Sequence, residues 1–444
     1  MSSTSVPKQA TVGQATRPPL QSRRVALAGA IGTFVEYYDY TVYGFLALTL
    51  AAVFFPAQDP TAALLSTLAV FAAAFVLRPL GGIVLGHLGD RYGRRPVLAW
   101  AVISMAASSF LIGLLPGYAT AGVWATVMLV ALRGVQGLSA GGETGGATTY
   151  VAEWSPSGRR AFWCSTIQMG NLLGVLTGSV LVAVLYATLS TGQMETWGWR
   201  IPFLISLPLG LVGLYIRRRL DESPEFEDLK DRSRIPVERQ KSPIATALRR
   251  DRAGIARVTG FSVGAFAGYY IVYVYGATFL QGEGGLTAVE ATWCTSAALV
   301  LAAVTVLGWG ALSDRIGRKP MLLGAFAAMA LLAYPAFILM GTGNIGLAFL
   351  GQAALGLCEA AVMGTILAAF TELFGTRTRF SGFGLGYNLG AILTGATAPY
   401  IGTWLISNTG DPRSPGLFLV VAAVVSLITA TTLTETAHRP LMKD

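Results

Sequence analysis

The sequence predicts an all-α membrane protein: twelve transmembrane helices arranged as two pseudo-symmetric six-helix bundles. Three observations predict it: a composition too apolar for a soluble globule, twelve apolar segments of spanning length, and one charged loop motif that occurs twice. Of the 444 residues, 53% are apolar and only 12% are Asp, Glu, Lys or Arg, about half the charged share of a soluble domain. Lipid is the solvent that suits such a chain.

Residues 1–24 are rich in Ser, Thr, Gln and Pro and carry Lys8, Arg17, Arg23 and Arg24. They are expected to form a disordered cytoplasmic tail. The apolar stretch 25–53 has no Ala-x-Ala cleavage site and reads as a retained first span. Spans two to six are expected at 62–88, 97–115, 120–148, 161–189 and 199–217, which makes 25–217 an N-terminal bundle. A charged stretch, 218–253, follows as a cytoplasmic linker, too short for a soluble domain. Spans seven to twelve are expected at 254–280, 290–312, 320–340, 344–370, 381–406 and 415–433, a C-terminal bundle over 254–433 with a cytoplasmic tail at 434–444. The first and fifth of these are Gly-rich enough to bend.

All but four of the 32 Lys and Arg residues lie in the tails and alternate loops; the four are Arg78, Arg133, Arg200 and Arg413. The positive-inside bias makes that side cytoplasmic, with both termini inside. The net charge of +9 is thus a matter of topology and implies no nucleic-acid partner. Cys164, Cys294 and Cys358 sit singly in apolar stretches and read as packing thiols. No metal, cofactor or disulfide frame is expected.

The chain also repeats itself. Gly89-Asp90-Arg91-Tyr92-Gly93-Arg94-Arg95-Pro96 matches Ser313-Asp314-Arg315-Ile316-Gly317-Arg318-Lys319-Pro320, with Asp90 and Asp314 lying 224 positions apart. Asn171-Leu172-Leu173-Gly174 similarly matches Asn388-Leu389-Gly390-Ala391 at a spacing of 217. Two similar spacings argue for duplication. The motif reads as a cytoplasmic latch: Asp90 and Asp314 face helix N-termini, while Arg91, Arg94, Arg315 and Arg318 pair with acids such as Glu153. Glu143 is a second gate candidate. The alternative is that the arginines serve only as positive-inside anchors.

Ionisable residues within spans are costly and are candidates for function. Glu36 and Asp39 lie roughly 18 to 23 Å into span one, near the middle of a roughly 30 Å core, and share a helix face. Arg133 in span four is their expected cation, and protonation of either acid would free it for an anionic substrate. The competing reading is a permanent ion pair between spans one and four. Arg78, before Pro79, offers a bidentate fork for a carboxylate or a cap for carbonyls that the proline frees. Tyr37, Tyr40, Tyr269, Tyr270 and Tyr273 offer aromatic faces to an ammonium group or serve as packing and interfacial anchors. Gln168, Asn171 and Asn388 complete the expected cavity. Glu359 in span ten stands alone.

Several strings resemble the major facilitator superfamily and, within it, the metabolite:proton symporter family. They are Gly32-Thr33-Phe34-Val35-Glu36-Tyr37-Tyr38-Asp39-Tyr40, Arg78-Pro79-Leu80-Gly81-Gly82, Gln136-Gly137-Leu138-Ser139-Ala140-Gly141-Gly142-Glu143, Trp197-Gly198-Trp199-Arg200-Ile201-Pro202-Phe203 and Asp221-Glu222-Ser223-Pro224-Glu225-Phe226. The resemblance implies proton-driven uptake of a small organic acid or zwitterion such as proline or betaine, by a monomer in a bacterial inner membrane. The segment Thr434-Glu435-Thr436-Ala437-His438-Arg439-Pro440-Leu441 is most similar to the proline/betaine members. The osmosensing members carry a C-terminal coiled coil, which is not expected in a chain ending at Asp444. Proton-antiport export is the nearest alternative, but Val175 follows Gly174 where exporters have Pro. A membrane enzyme has no visible machinery around His87 and His438, the only histidines. A channel is disfavoured by the duplicated halves.

Overall fold

The computed structural model describes residues 19–55, 59–82, 84–85, 94–141, 143–156, 158–218, 251–375, 378–439 and 441–442. Among these residues nine helices are long and apolar enough to cross a membrane, and a tenth span is the bent pair Thr191–Gly198 and Arg200–Tyr215. Span one (Pro19–Phe45 with Ala47–Phe54) and span three (Arg94–Leu114) bring the total to twelve. Span one is a less regular apolar run because it carries Glu36, Asp39 and four tyrosines in its middle.

Within the N-terminal half, spans one and five, two and four, and three and six pack as pairs. The C-terminal half repeats this with spans seven and eleven, eight and ten, and nine and twelve. The duplication seen in the sequence is thus also a duplication of packing. Small residues set the closest of these contacts. A Cβ added at Gly137 in span four would lie 1.9 Å from the Ala74 carbonyl oxygen of span two, and one at Gly81 would lie 1.9 Å from the Leu138 carbonyl oxygen. Gly137→Ala is therefore expected to cost about 1–3 kcal/mol by overpacking, read as a lower melting temperature in detergent. Gly324→Ala, which meets nothing within 4 Å, should leave the melting temperature unchanged.

Several expectations shift in detail. The helix of span one begins at Pro19, inside the stretch expected to be disordered; residues 1–18 lie outside the described residues. Helix Arg252–Tyr269 begins within the expected linker, most of which lies outside the described residues. Spans seven and eleven do not simply kink at their glycines. Each stays helical and carries one widened, π-helical segment, Tyr270–Tyr275 and Ala391–Gly395. Such a segment inserts an extra residue and re-aims the side chains that follow. In span four Gly141 lies against span two: a Cβ added there would sit 2.0 Å from the Arg78 carbonyl oxygen.

The halves meet along spans five and eight, two and eleven, one and seven, and four with ten and eleven. At the end bearing the basic loops the contact is charged; towards the other end it is apolar. There Phe71 and Phe75 of span two pack on Tyr270 of span seven at 5.7 and 5.3 Å between ring centres. The Ser179 hydroxyl lies 2.8 Å from that of Ser296.

Candidate functional site

Span one places its two acids on different neighbours. Three residues apart, they share a broad face but diverge enough to reach separate partners. Glu36 accepts a hydrogen bond from Nη2 of Arg78 on span two. The sequence suggested Arg133 as its cation and left Arg78 to the substrate; the structure gives Arg78 to Glu36 because span two lies nearer to that turn. The Arg78 guanidinium also sits over the Tyr40 and Phe75 rings, 4.6 and 4.9 Å from their centres. Of the two roles considered for Arg78, neither includes this pair.

Asp39 turns towards spans three and six, facing the hydroxyls of Ser109 and Ser206 and the guanidinium of Arg133. Among the described residues neither of its carboxylate oxygens lies within hydrogen-bond geometry of a donor, the two serine hydroxyls being its nearest polar neighbours. Arg133 donates from Nη1 to Oε1 of Gln136 at 2.9 Å, and Gln136 donates from Nε2 to the Ser109 hydroxyl at 2.5 Å. Arg133 is otherwise surrounded by rings, 4.3 Å from Tyr43, 5.2 Å from Phe71 and 5.4 Å from Tyr40. Its Nε and Nη2 have no partner among the described residues. An acid and a base thus lie buried beside each other without a direct hydrogen bond, an arrangement costly unless something else engages them. All four charged side chains are at most 2% exposed.

Between the halves lies a tyrosine layer. The Tyr37 hydroxyl of span one meets that of Tyr387 of span eleven at 3.2 Å. Tyr269 of span seven donates to Oδ1 of Asn171 of span five at 2.7 Å, and its ring stands edge-on to Tyr37. Tyr270 packs against span two, its hydroxyl without a partner among the described residues. Tyr273 turns its hydroxyl to the Gly356 carbonyl of span ten at 2.6 Å while its ring stands edge-on to Tyr269 at 5.8 Å between centres, and Tyr40 stays with Arg78. Gln168 is buried one turn before Asn171. Asn388 donates to the carbonyls of Gly384 and, at 3.4 Å, Gly141 of the opposite half. Tyr387 is the residue that sequence reasoning missed, although it adjoins the repeated Asn388. Glu359 is buried against Gly268, and its Oε2 has no partner among the described residues.

At the basic-loop end charged contacts cross between the halves. Asp314 accepts from the backbone N–H groups of Ala161 and Phe162 at 3.0 and 2.9 Å, the exposed first turn of span five in the opposite half. Two ion pairs flank it: Arg160 to Glu372 at 2.5 Å and Arg379 to Glu153 at 2.8 Å. Arg318 closes the network onto Asp314 and Glu372, whereas Arg315 is exposed and lies outside it. Asp90 and Arg91 lie outside the described residues, as do the side chains of Arg94 and Glu143. The cross pairs missed in sequence follow the repeat: Glu153 and Glu372 are 219 positions apart, as are Arg160 and Arg379. The spacing itself was the available signal.

The carboxyl-terminal segment docks on the same end. Glu435 accepts from the N–H groups of Arg318, Lys319, Thr436 and Ala437 at 2.8 to 3.1 Å. It sits over Gly317, whose φ of +109° and missing Cβ leave room for the carboxylate. Partial burial pushes the Glu435 carboxyl up, but the four N–H groups outweigh it and hold it below the ordinary glutamate range. The stabilisation is therefore fully present above the unfolded value of about 4.3 and is lost as pH falls through the folded one. Glu435→Gln is expected to flatten the acid limb of melting temperature against pH below that value and to leave its shape near neutrality unchanged.

This arrangement is a pair of packed bundles that meet around a buried charged and tyrosine-lined centre. The chain matches the family described as sugar (and other) transporter over residues 25–443. It is 35% identical over 431 residues to a proline/betaine transporter of Escherichia coli, covering 94% of this chain and 85% of the relative. It is 37% identical over 439 residues to the ectoine/proline transporter ProP of Corynebacterium glutamicum, covering 96% and 86%. In three dimensions it is similar to the xylose transporter XylE from E. coli, with a TM-score of 0.74, 19% identity and coverage of 94% and 98%, a likeness of fold. The chain belongs to the sugar (and other) transporter family of the major facilitator superfamily and is a multi-pass membrane transporter, not an enzyme.

Proposed function

We propose that the chain imports a small zwitterionic carboxylate of the proline or betaine type together with a proton, by alternating access between its two halves. The observation that carries this reading is the division of charges in the N-terminal half. Arg78 is neutralised by Glu36, whereas Arg133 keeps two donor nitrogens, Nε and Nη2, without a partner among the described residues, beside an Asp39 that it does not hydrogen-bond. A proton on Asp39 removes the counter-charge of Arg133, and the guanidinium is then satisfied by a carboxylate. Proton and substrate therefore enter together, since either alone leaves a buried charge uncompensated. The tyrosine layer of Tyr37, Tyr269, Tyr270 and Tyr387 supplies ring faces for the ammonium pole. The names of the relatives, which print proline, betaine and ectoine, support a zwitterion over a dicarboxylate.

In this reading the basic-loop end is cytoplasmic, both termini lie inside a bacterial inner membrane, and the protein works as a monomer. The network of Asp314, Glu372, Arg160, Glu153, Arg379 and Arg318 is the inner gate, and inward opening separates its cross pairs. Uptake of labelled proline, betaine, ectoine and dicarboxylates by cells carrying the protein, with and without a protonophore, tests the proposal. Protonophore-sensitive accumulation of a zwitterion is expected; accumulation of none of them, or accumulation indifferent to the protonophore, would remove the reading.

A further inference from the structure

Span ten turns a polar face towards the widened segment of span seven. Gln352 and Gly356, one helical turn apart in Ile345–Glu372, share that face. Gln352 is fully buried. Its Nε2 donates to the Val272 carbonyl, inside the widened segment, at 2.8 Å, and to the Thr295 hydroxyl of span eight at 3.0 Å. The single proton of that hydroxyl goes to the Ala291 carbonyl at 3.0 Å, so towards Gln352 the oxygen acts as an acceptor. This fixes which way the amide points: turned over, its oxygen would face the Val272 carbonyl, acceptor against acceptor. Gly276 leaves the room, since a Cβ there would lie 2.5 Å from Nε2. One turn along span ten, the Tyr273 hydroxyl donates to the Gly356 carbonyl. The two helices are thus clasped twice, once in each direction, across the segment Tyr270–Tyr275.

In a regular α-helix the Val272 carbonyl would bond to the N–H of Gly276, four residues on, and would need nothing from span ten. Widening moves the helical partner to five residues on, and the bilayer interior has no water for a carbonyl left short. A donor fixed on a neighbouring helix therefore favours the widened winding over the regular one. The winding matters to the site because one inserted residue rotates the helix on one side of it by about 100° against the other. Tyr269 and Tyr270 stand at the start of the segment, where the first ring meets Tyr37 and the second meets Phe71 and Phe75. We infer that Gln352 is a positioning residue for substrate recognition: it holds span seven in its widened winding, aims the rings of Tyr269 and Tyr270, and so sets the preference among cationic poles. Its hydrogen bonds go to spans seven and eight, and it acts through span seven. A trimethylammonium pole, as in betaine, has no N–H and depends on ring faces alone. The ammonium of proline also donates hydrogen bonds to hydroxyls, so the aim of the rings weighs more on betaine.

The inference rests on the transport reading for its substrates but not for its effect on span seven, and the test reads the two separately. Hydrogen exchange of the backbone amides over 270–276 is followed in the purified full-length protein without substrate, beside uptake kinetics of betaine and proline. Gln352→Met keeps the length of the side chain without a donor. Gln352→Asn draws the donor back from Val272 and serves should the first variant not fold, as read from melting curves. In a folded variant the segment is expected to exchange at least about tenfold faster, while the amides of Arg318–Met340 in span nine keep their wild-type rates. KM for betaine should rise about tenfold and KM for proline at most about threefold, with kcat for both within about threefold of wild type. Wild-type exchange over 270–276 in a folded variant, or equal changes of KM for the two substrates, would overturn the inference. A wild type that accumulates neither substrate removes the transport reading instead, and the exchange rates then decide alone whether Gln352 holds the segment.

Discussion

Asp39→Asn is expected to abolish proton-driven accumulation while leaving exchange of substrate across the membrane intact. Asparagine has nearly the shape of the acid but takes up no proton, so Arg133 is permanently without its counter-charge and permanently available to a carboxylate. For a net-neutral substrate carried with one proton, each 100 mV of membrane potential is worth about 2.3 kcal/mol, or roughly fifty-fold accumulation. In the variant the ratio should fall to about one. Energised proteoliposomes measure the first quantity and counterflow with no imposed gradient measures the second. Wild-type accumulation in the variant would move the coupling away from Asp39, and lost counterflow in a folded variant would make the residue part of substrate binding itself.

The second large effect is on stability. Arg78→Gln removes the guanidinium that neutralises Glu36 at a site 1 to 2% exposed, and breaking a buried pair from one side costs about 3–5 kcal/mol. The double variant Glu36→Gln/Arg78→Gln removes both charges of the pair and is expected to recover most of that loss, because the pair's own attraction is largely offset by its desolvation. Melting temperatures of the two single variants and the double variant form the cycle. A single Arg78→Gln variant as stable as the double would show that the pair is not what holds spans one and two together. The two experiments separate the acids of span one: Glu36 is expected to act on stability and Asp39 on coupling.

The duplicated architecture could be read from the sequence because the signals that specify it are one-dimensional. Spanning length, the distribution of Lys and Arg, and the spacing between Asp90 and Asp314 do not depend on how the helices pack. The same kind of signal carried more than was drawn from it: Glu153 with Arg160 and Glu372 with Arg379 repeat at one spacing, and their exchange of partners across the halves follows from the pseudo-symmetry. The contact of Asp314 with a helix N-terminus was also legible, since an acid after one helix and an open N-terminus on another are both visible in the chain. Arg315 was placed with it by motif alone. Its direction around the helix, outwards, is a matter of phase against a neighbour.

The sequence by itself determined that this chain lies in lipid, in two related halves, with acids in the middle of span one and bases in spans two and four. Composition and spacing are enough for that, because an intramembrane charge is costly wherever it packs. Which base serves which acid was decided only by tertiary structure. Glu36 and Asp39 are one helical turn apart, and the small angle between them sends one to Arg78 on span two and the other towards Arg133, Ser109 and Ser206. Likewise the tyrosines divide into those at the meeting of the halves and those turned back into a bundle, according to the local winding of span seven. Partner choice depends on angles of a few tens of degrees and on which helix stands alongside, quantities that no spacing along the chain contains.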